Sequence, residues 1–234
     1  MRAREFIVEN VLLEGGNIWK DDLATIRIMR ADVVPTVQFL EQITGLELTD
    51  NMLGTTGRKE SSGDLDLAVD ASKVDKTALQ QKLAAWAQKN DPGALTKKTG
   101  VSVHFRTPIK GNPANGYVQT DFMFLDDIGF AKWSMAQAPS QFKGAVKHII
   151  LASVAKSQGL KWSFKDGLSS RTTGDALRGG KDADYVAKVL FGPQANAETI
   201  STVENMLKAL EKDPKRDEKL ADAREALAKE GIQL

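Results

Sequence analysis

The segment Leu53-Gly54-Thr55-Thr56-Gly57-Arg58-Lys59-Glu60-Ser61-Ser62-Gly63-Asp64-Leu65-Asp66-Leu67 joins a glycine-rich, basic turn to an apolar stretch bearing two carboxylates. Residues two apart on a strand share a face. Asp64 and Asp66 therefore stand side by side, while Leu65, Leu67 and Val69 point the other way, into a core. Like charges held that close repel unless a cation lies between them, and carboxylate oxygens suit a hard divalent ion such as Mg²⁺. Gly54 and Gly57 let the backbone approach phosphates, and Thr55 and Thr56 offer hydroxyl and N–H donors. Arg58 and Lys59 supply positive charge for a triphosphate. A phosphate-cradling turn placed directly before a metal-binding pair points to transfer chemistry on a nucleotide.

A third carboxylate lies downstream. Tyr117 to Leu125 alternates as a strand, with Gln119, Asp121 and Met123 on one face and Val118, Thr120, Phe122 and Phe124 on the other. Aspartate is depleted from strands, so Asp121 on a sheet surface stands out. Two metal ions about 3.5–4 Å apart activate an attacking hydroxyl and stabilise a departing pyrophosphate, and three carboxylates are a natural ligand set for them. In this reading Asp64 and Asp66 bridge the ions and Asp121 completes the site. A bare Asp-x-Asp also reads as a solvated strand edge; the upstream glycine turn and the downstream aspartate are what set this one apart.

The elements that must position these residues follow from periodicity. Residues 5–13 read as a short helix or strand stopped by Gly15-Gly16, and Thr25 to Ile28 as a strand. Asp32 caps a helix through Val33, Val37, Leu40 and Ile43 that Gly45 ends. Lys76 to Lys89 reads as a helix capped by Asp75, followed by a turn at Asp91-Pro92-Gly93. Val101, Val103 and Phe105 alternate with Ser102, His104 and Arg106 as a half-buried strand, and Pro108 to Gly116 is a loop. Further on, Ser140 caps a long helix to Gln158, Leu160 to Phe164 is strand-like, and Gly167 to Lys181 is a loop. Helices are expected over Asp182–Phe191, Ala197–Glu211 and from Pro214 to near Gly231. The change of character places a boundary near residue 130.

Composition bounds the rest. The 234 residues are 41% hydrophobic, enough for a real core. Thirty-two basic against 31 acidic residues leave a net charge of +1, so any nucleic-acid binding has to come from local patches. There are no cysteines, which excludes disulfides and thiolate metal sites, and two histidines, His104 and His148, exclude a multi-histidine site. No apolar run approaches the ~20 residues of a membrane span, and Glu5 and Glu9 interrupt any signal-like stretch. A cytoplasmic protein with no membrane partner is the expectation; the oligomeric state is left open.

Gly54 to Leu67 resembles the signature of the DNA polymerase β-like nucleotidyltransferase superfamily: glycine and a small hydroxyl residue, a spacer, then Asp-x-Asp in a strand. Glu60-Ser61-Ser62-Gly63-Asp64-Leu65-Asp66 is particularly similar to the family X DNA polymerases. Val33 to Gly45 is similar to the helix before that signature, Val118 to Phe124 to the strand with the third aspartate, and Phe142 to Phe164 to the start of the thumb. The resemblance implies an α+β fold. Residues 1–130 would form a palm with a mixed sheet flanked by helices, and residues 131–234 a mainly helical, thumb-like subdomain. It further implies two-metal nucleotidyl transfer, with Asp64, Asp66 and Asp121 holding two Mg²⁺ (or Mn²⁺) ions and Thr55 and Arg58 near a nucleoside triphosphate. A nucleic acid is one candidate acceptor. The spacer from Gly54 to Asp64 is one residue short of the family X pattern, Thr55 replaces the more usual serine, and Trp133-Ser134-Met135 stands near the place of a Tyr-Phe-x-Gly motif. These departures bear on templated DNA synthesis rather than on the transfer chemistry. The alternative is a catalytically inactive nucleotide-binding or structural protein that keeps the fold.

Four other features weigh two ways. His104 is either a residue of the polar strand face or part of the site. Lys143, Lys147, His148, Lys156, Lys161 and Lys165 form either a basic surface for nucleic acid or a solvated face. Trp133 and Trp162 either stack on bases or pack in cores. Arg171, Arg178 and Lys181 either grip phosphates or decorate a solvated connector.

Overall fold

The computed structural model describes residues 18–19, 23, 25–136, 138–142 and 144–234. The element expected over residues 5–13, its Gly15-Gly16 stop and Lys143 lie outside them. The described residues divide into two compact units, one ending at Ala136 and the other running from there to Leu234.

The first unit is a mixed sheet with helices against it, an α+β arrangement. Its strands are β3 (Asp64–Asp70), β4 (Thr96–Thr99), β5 (Ser102–Pro108) and β6 (Tyr117–Leu125), in the order β3-β6-β5-β4. β3 runs parallel to β6, and the other pairings are antiparallel. Leu65, Leu67 and Val69 align with Thr120, Phe122 and Phe124. Val103 and Phe105 continue the rows from β5. This apolar face packs against helix α1 (Arg30–Thr44) through Val33, Val37 and Leu40, and against α2 (Lys76–Asn90) through Leu79, Leu83 and Ala87. Fully burying one such side chain contributes about 1.5–3 kcal/mol.

Local chemistry sets the helix limits. The Asp75 carboxylate accepts from the Ala78 N–H at 2.7 Å, capping α2 as expected. Gly45, at φ 75°, ends α1 in the left-handed conformation, and its N–H donates to the Glu41 carbonyl. Asp32 is not the cap of α1: the helix starts at Arg30, and Asp32 lies in its first turn, paired with Lys110 at 2.8 Å. Of the strand expected over Thr25–Ile28, only β1 (Ile28–Met29) forms, antiparallel to β2 (Ser61–Ser62). β5 is buried along its whole length rather than half-buried, because it sits between β4 and β6 with both faces covered. The edge strand β4 carries exposed Lys97 and Lys98, which discourage pairing with another chain. A short helix α3 (Ile128–Met135), capped by Asp127, closes the unit against β3.

The second unit comprises helix α4 (Gly144–Ser157), the hairpin β7 (Leu160–Ser163) and β8 (Gly167–Ser170), and helices α5 (Ala183–Phe191), α6 (Val203–Ala209) and α7 (Arg216–Ala228). Ser140 does not cap the long helix. It accepts from the Phe142 N–H and donates to the Glu204 carboxylate, and the helix begins at Gly144. The loop expected over Gly167–Lys181 opens as strand β8, where the Leu168 N–H donates to the Gly180 carbonyl at 2.9 Å. The Gly167 and Gly180 backbones approach too closely for any Cβ, so the glycines that suggested a loop are what the close packing requires. The helix expected over Ala197–Glu211 is split into a 3₁₀ turn, Ala197–Ile200, and α6, because Asn196 and Thr202 each cap a separate start. Among the described residues no helix is long and apolar enough to cross a membrane.

Leu67, at 0% exposure, lies centrally between the helices and the sheet. Leu67→Ala is expected to lower the unfolding free energy by about 2–5 kcal/mol, read from urea denaturation. A loss under about 0.5 kcal/mol, typical of surface positions, would contradict this placement.

Candidate metal centre

The carboxylates meet because of strand register. Parallel pairing sets Asp66 opposite Asp121 and Asp64 opposite Gln119. Antiparallel β5 adds His104 opposite Asp121 and Arg106 opposite Gln119, and β4 sets Lys97 opposite His104. Adjacent strands lie about 4.8 Å apart, so side chains of one row touch. Asp64, Asp66 and Asp121 each offer an oxygen within 4.8 Å of the others. Asp121 is buried, whereas Asp64 and Asp66 keep partial solvent access.

The grouping is electrostatically unfavourable by itself. Loss of water, then the charge of Asp121, pushes the Asp64 carboxyl up to about 6, and Arg27 pulls it partly back. Loss of water, then Asp64 and Asp121, holds Asp66 well above the usual carboxylate range. Among the described residues the Asp66 carboxylate accepts no hydrogen bond and forms no ion pair. Asp121 differs: its Oδ1 lies 2.7 Å from His104 Nδ1, and its Oδ2 accepts from Gln119 Nε2 at 3.2 Å. Unanswered oxygen donors on clustered like charges fit a hard divalent cation.

The glycine turn leans on the same strand. The Leu53 N–H donates to the Asp66 carbonyl at 2.8 Å, and the Asp66 N–H donates to the Thr56 hydroxyl at 3.0 Å. Gly54 adopts φ 57°, and a Cβ there would stand 3.4 Å from Asp66 Oδ2, so glycine lets the turn lie against the carboxylate. Thr56 is buried and its hydroxyl serves the strand. The Thr55 carbonyl accepts from Arg58 N–H, while the Thr55 hydroxyl has no partner among the described residues. Gly57 adopts φ 70° against Met52 and Val33. Arg58 and Lys59 are exposed at the rim of the turn.

Arg27 escaped the sequence reading. Its guanidinium donates to the Ser61 hydroxyl (3.1 Å) and carbonyl (2.9 Å), which sets it beside Gly63 and the Asp64 charge. Arg27 lies just before β1, and the β1–β2 pairing, a contact between residues far apart in the chain, brings it there. His104 and Gln119 carried a signal, their parity on β5 and β6, but their contact with Asp121 depends on register.

The basic residues of the second unit do not form one exposed array among the described residues. Lys147 is buried and pushed down to about 8 by loss of water. Lys156 pairs with Asp222, and Lys165 lies 3.9 Å from Asp166. Trp162 is buried and donates to His148 Nδ1 at 3.2 Å. Burial, then Lys147, drives His148 down to about 3. Trp133 packs against Phe130 at 5.4 Å.

Because the folded Asp64 carboxyl holds its proton up to about 6, against 3.8 for the ordinary group, the metal-free protein loses stability as pH rises across that window. Asp64→Asn, in chelator at pH 8, should therefore exceed the native chain in stability by about 1–3 kcal/mol. The advantage should shrink as pH falls through 6 and vanish near 4, as followed by thermal unfolding. Equal stabilities at pH 8 would contradict the repulsion.

No protein-family model matches the sequence, and no curated protein matches it either; the three carboxylates and the residues around them are the ground for assigning a function.

Proposed function

We propose that the protein is a metal-dependent nucleotidyltransferase of the DNA polymerase β-like kind, moving a nucleoside monophosphate from an NTP or dNTP to an acceptor hydroxyl. The single observation that supports this most is the convergence of Asp64, Asp66 and Asp121 within 4.8 Å beside a glycine turn. In the reaction the acceptor oxygen bonds to the α-phosphorus, the bond to pyrophosphate breaks with its electron pair on the leaving pyrophosphate, and the hydroxyl proton passes to solvent water. Asp64, Asp66 and Asp121 would hold Mg²⁺ or Mn²⁺. When bound, the ions supply the Lewis acidity that lowers the acceptor's pKa and neutralises the leaving group.

The chain's own groups do the rest. The Thr55 hydroxyl and the N–H groups of the Gly54–Gly57 turn are donors for phosphate oxygens. Arg27 sets positive charge beside Asp64, and Arg58 and Lys59 add more at the rim, all suited to a triphosphate. The mixed sheet with helices on its apolar face agrees with a palm of that superfamily. In this reading the second unit takes the place of the thumb; among its described residues Lys147 is buried and Lys156 pairs with Asp222, while Lys161, Arg171, Arg178 and Lys181 are exposed. The acceptor hydroxyl belongs to a nucleic acid, a protein or a small molecule.

Incubation with labelled NTPs and dNTPs, Mg²⁺ or Mn²⁺ and a panel of hydroxyl acceptors should give acceptor-linked label. Asp66→Asn should reduce transfer by about 10³-fold or more, in line with losing charge stabilisation at the reacting centre, and chelator should abolish it. Nucleotide binding without transfer to any acceptor would instead favour an inactive binding protein. Full activity in Asp66→Asn would refute the mechanism.

A further inference from the structure

We propose that His104, backed by Thr99, is the positioning residue of the cation site: it locks Asp121 in the orientation that completes the carboxylate set. This inference rests on the reading of Asp64, Asp66 and Asp121 as cation ligands.

The three carboxylates are not equally held. Asp66 has no hydrogen-bonding partner for its carboxylate among the described residues. Asp121 is gripped at both oxygens, by His104 on Oδ1 and Gln119 on Oδ2. It is also the acid on the central strand, facing Asp66 across one register row. Left unanchored, a carboxylate in that position turns away from two like charges. Two donors on opposite oxygens oppose that rotation and keep one lone pair of each oxygen for other partners.

An ionised carboxylate only accepts, so the hydrogen of His104 sits on Nδ1 and points at Asp121. On the other side of the ring, Nε2 lies 2.6 Å from the Thr99 hydroxyl, within hydrogen-bond distance. The contacts Thr99–His104–Asp121 lead from the exposed end of β4 through a histidine only 3% exposed to the buried acid. An N–H on Nδ1 aimed at Oδ1 at 2.7 Å steers the carboxylate. Partners behind metal ligands of this kind set affinity by about 10–100-fold.

A histidine that only fills polar space would affect folding but not cation binding, and Asn would not restore what Leu removes. Asparagine places an N–H near the position of Nδ1, so it is the conservative replacement. The test is Mn²⁺ binding to the full chain, measured by calorimetry, with circular dichroism confirming the fold of each variant. His104→Leu should bind Mn²⁺ at least about tenfold more weakly, His104→Asn should recover most of that loss, and Thr99→Val should bind about threefold more weakly. Native affinity in folded His104→Leu overturns the proposal and leaves the cation site standing. Should His104→Leu fail to fold, Thr99→Val decides, because Thr99 is exposed: native affinity there overturns it. A native chain that binds no Mn²⁺ removes the cation site and the inference together.

Discussion

The parallel pairing of β3 with β6 forces like charges together, and most of the first unit can be understood as holding that pairing. Asp66 faces Asp121 on one side of the sheet, while Leu67 faces Phe122 one residue on, on the other. A slip of one residue would send the acids into the core and the apolar side chains to the opposite face. Two charges about 4.8 Å apart repel by roughly 3 kcal/mol at an effective dielectric of 20. The apolar face, with α1 and α2 packed on it, offsets this by burying Leu65, Leu67, Val103, Phe105 and Phe122 almost completely. The sheet therefore keeps an electrostatic strain that folding alone does not relieve.

The surroundings of the acids are graded rather than uniform. Asp121 is pinned by two side chains, Asp66 is braced only through its backbone by the Leu53–Thr56 turn, and Asp64 lies nearest to the guanidinium of Arg27. This gradient runs from the sheet interior toward solvent, as a site would whose buried end fixes geometry and whose open end meets a charged ligand. The glycine turn and the strand it precedes are a single mechanical unit, because the Thr56 hydroxyl and the Leu53 N–H both bond to Asp66 backbone groups. A displacement of the turn would therefore be felt at the carboxylate.

Strong periodicity was readable from the chain, and local capping only in part. The limits of α2 follow from Asp75 and the Leu79-Leu83 spacing, and β6 runs as its alternation requires. Asp32 and Ser140 misled for one reason: both have capping chemistry, but each found a stronger tertiary partner, Lys110 and Glu204 respectively. The Gly167–Lys181 stretch misled because glycine signals both a loop and a close backbone contact, and only the contact with Gly180 distinguishes them. In the site, Asp64, Asp66 and Asp121 could be singled out in advance because aspartate on a strand is conspicuous. Arg27 could not, since its approach to Asp64 depends on the pairing of β1 with β2, more than thirty residues on in the chain.

By itself the sequence determined which side chains share a face, since side-chain parity is a local property of an extended backbone, and it determined the type of chemistry those side chains permit. Only the tertiary structure decided that Asp66, Asp121 and His104 occupy one row, that Arg27 reaches Asp64, and that Lys147 and His148 are withdrawn from solvent. Register and burial are set by contacts between residues far apart in the chain. The free energy of those contacts comes from the core as a whole, and no local window of sequence contains it.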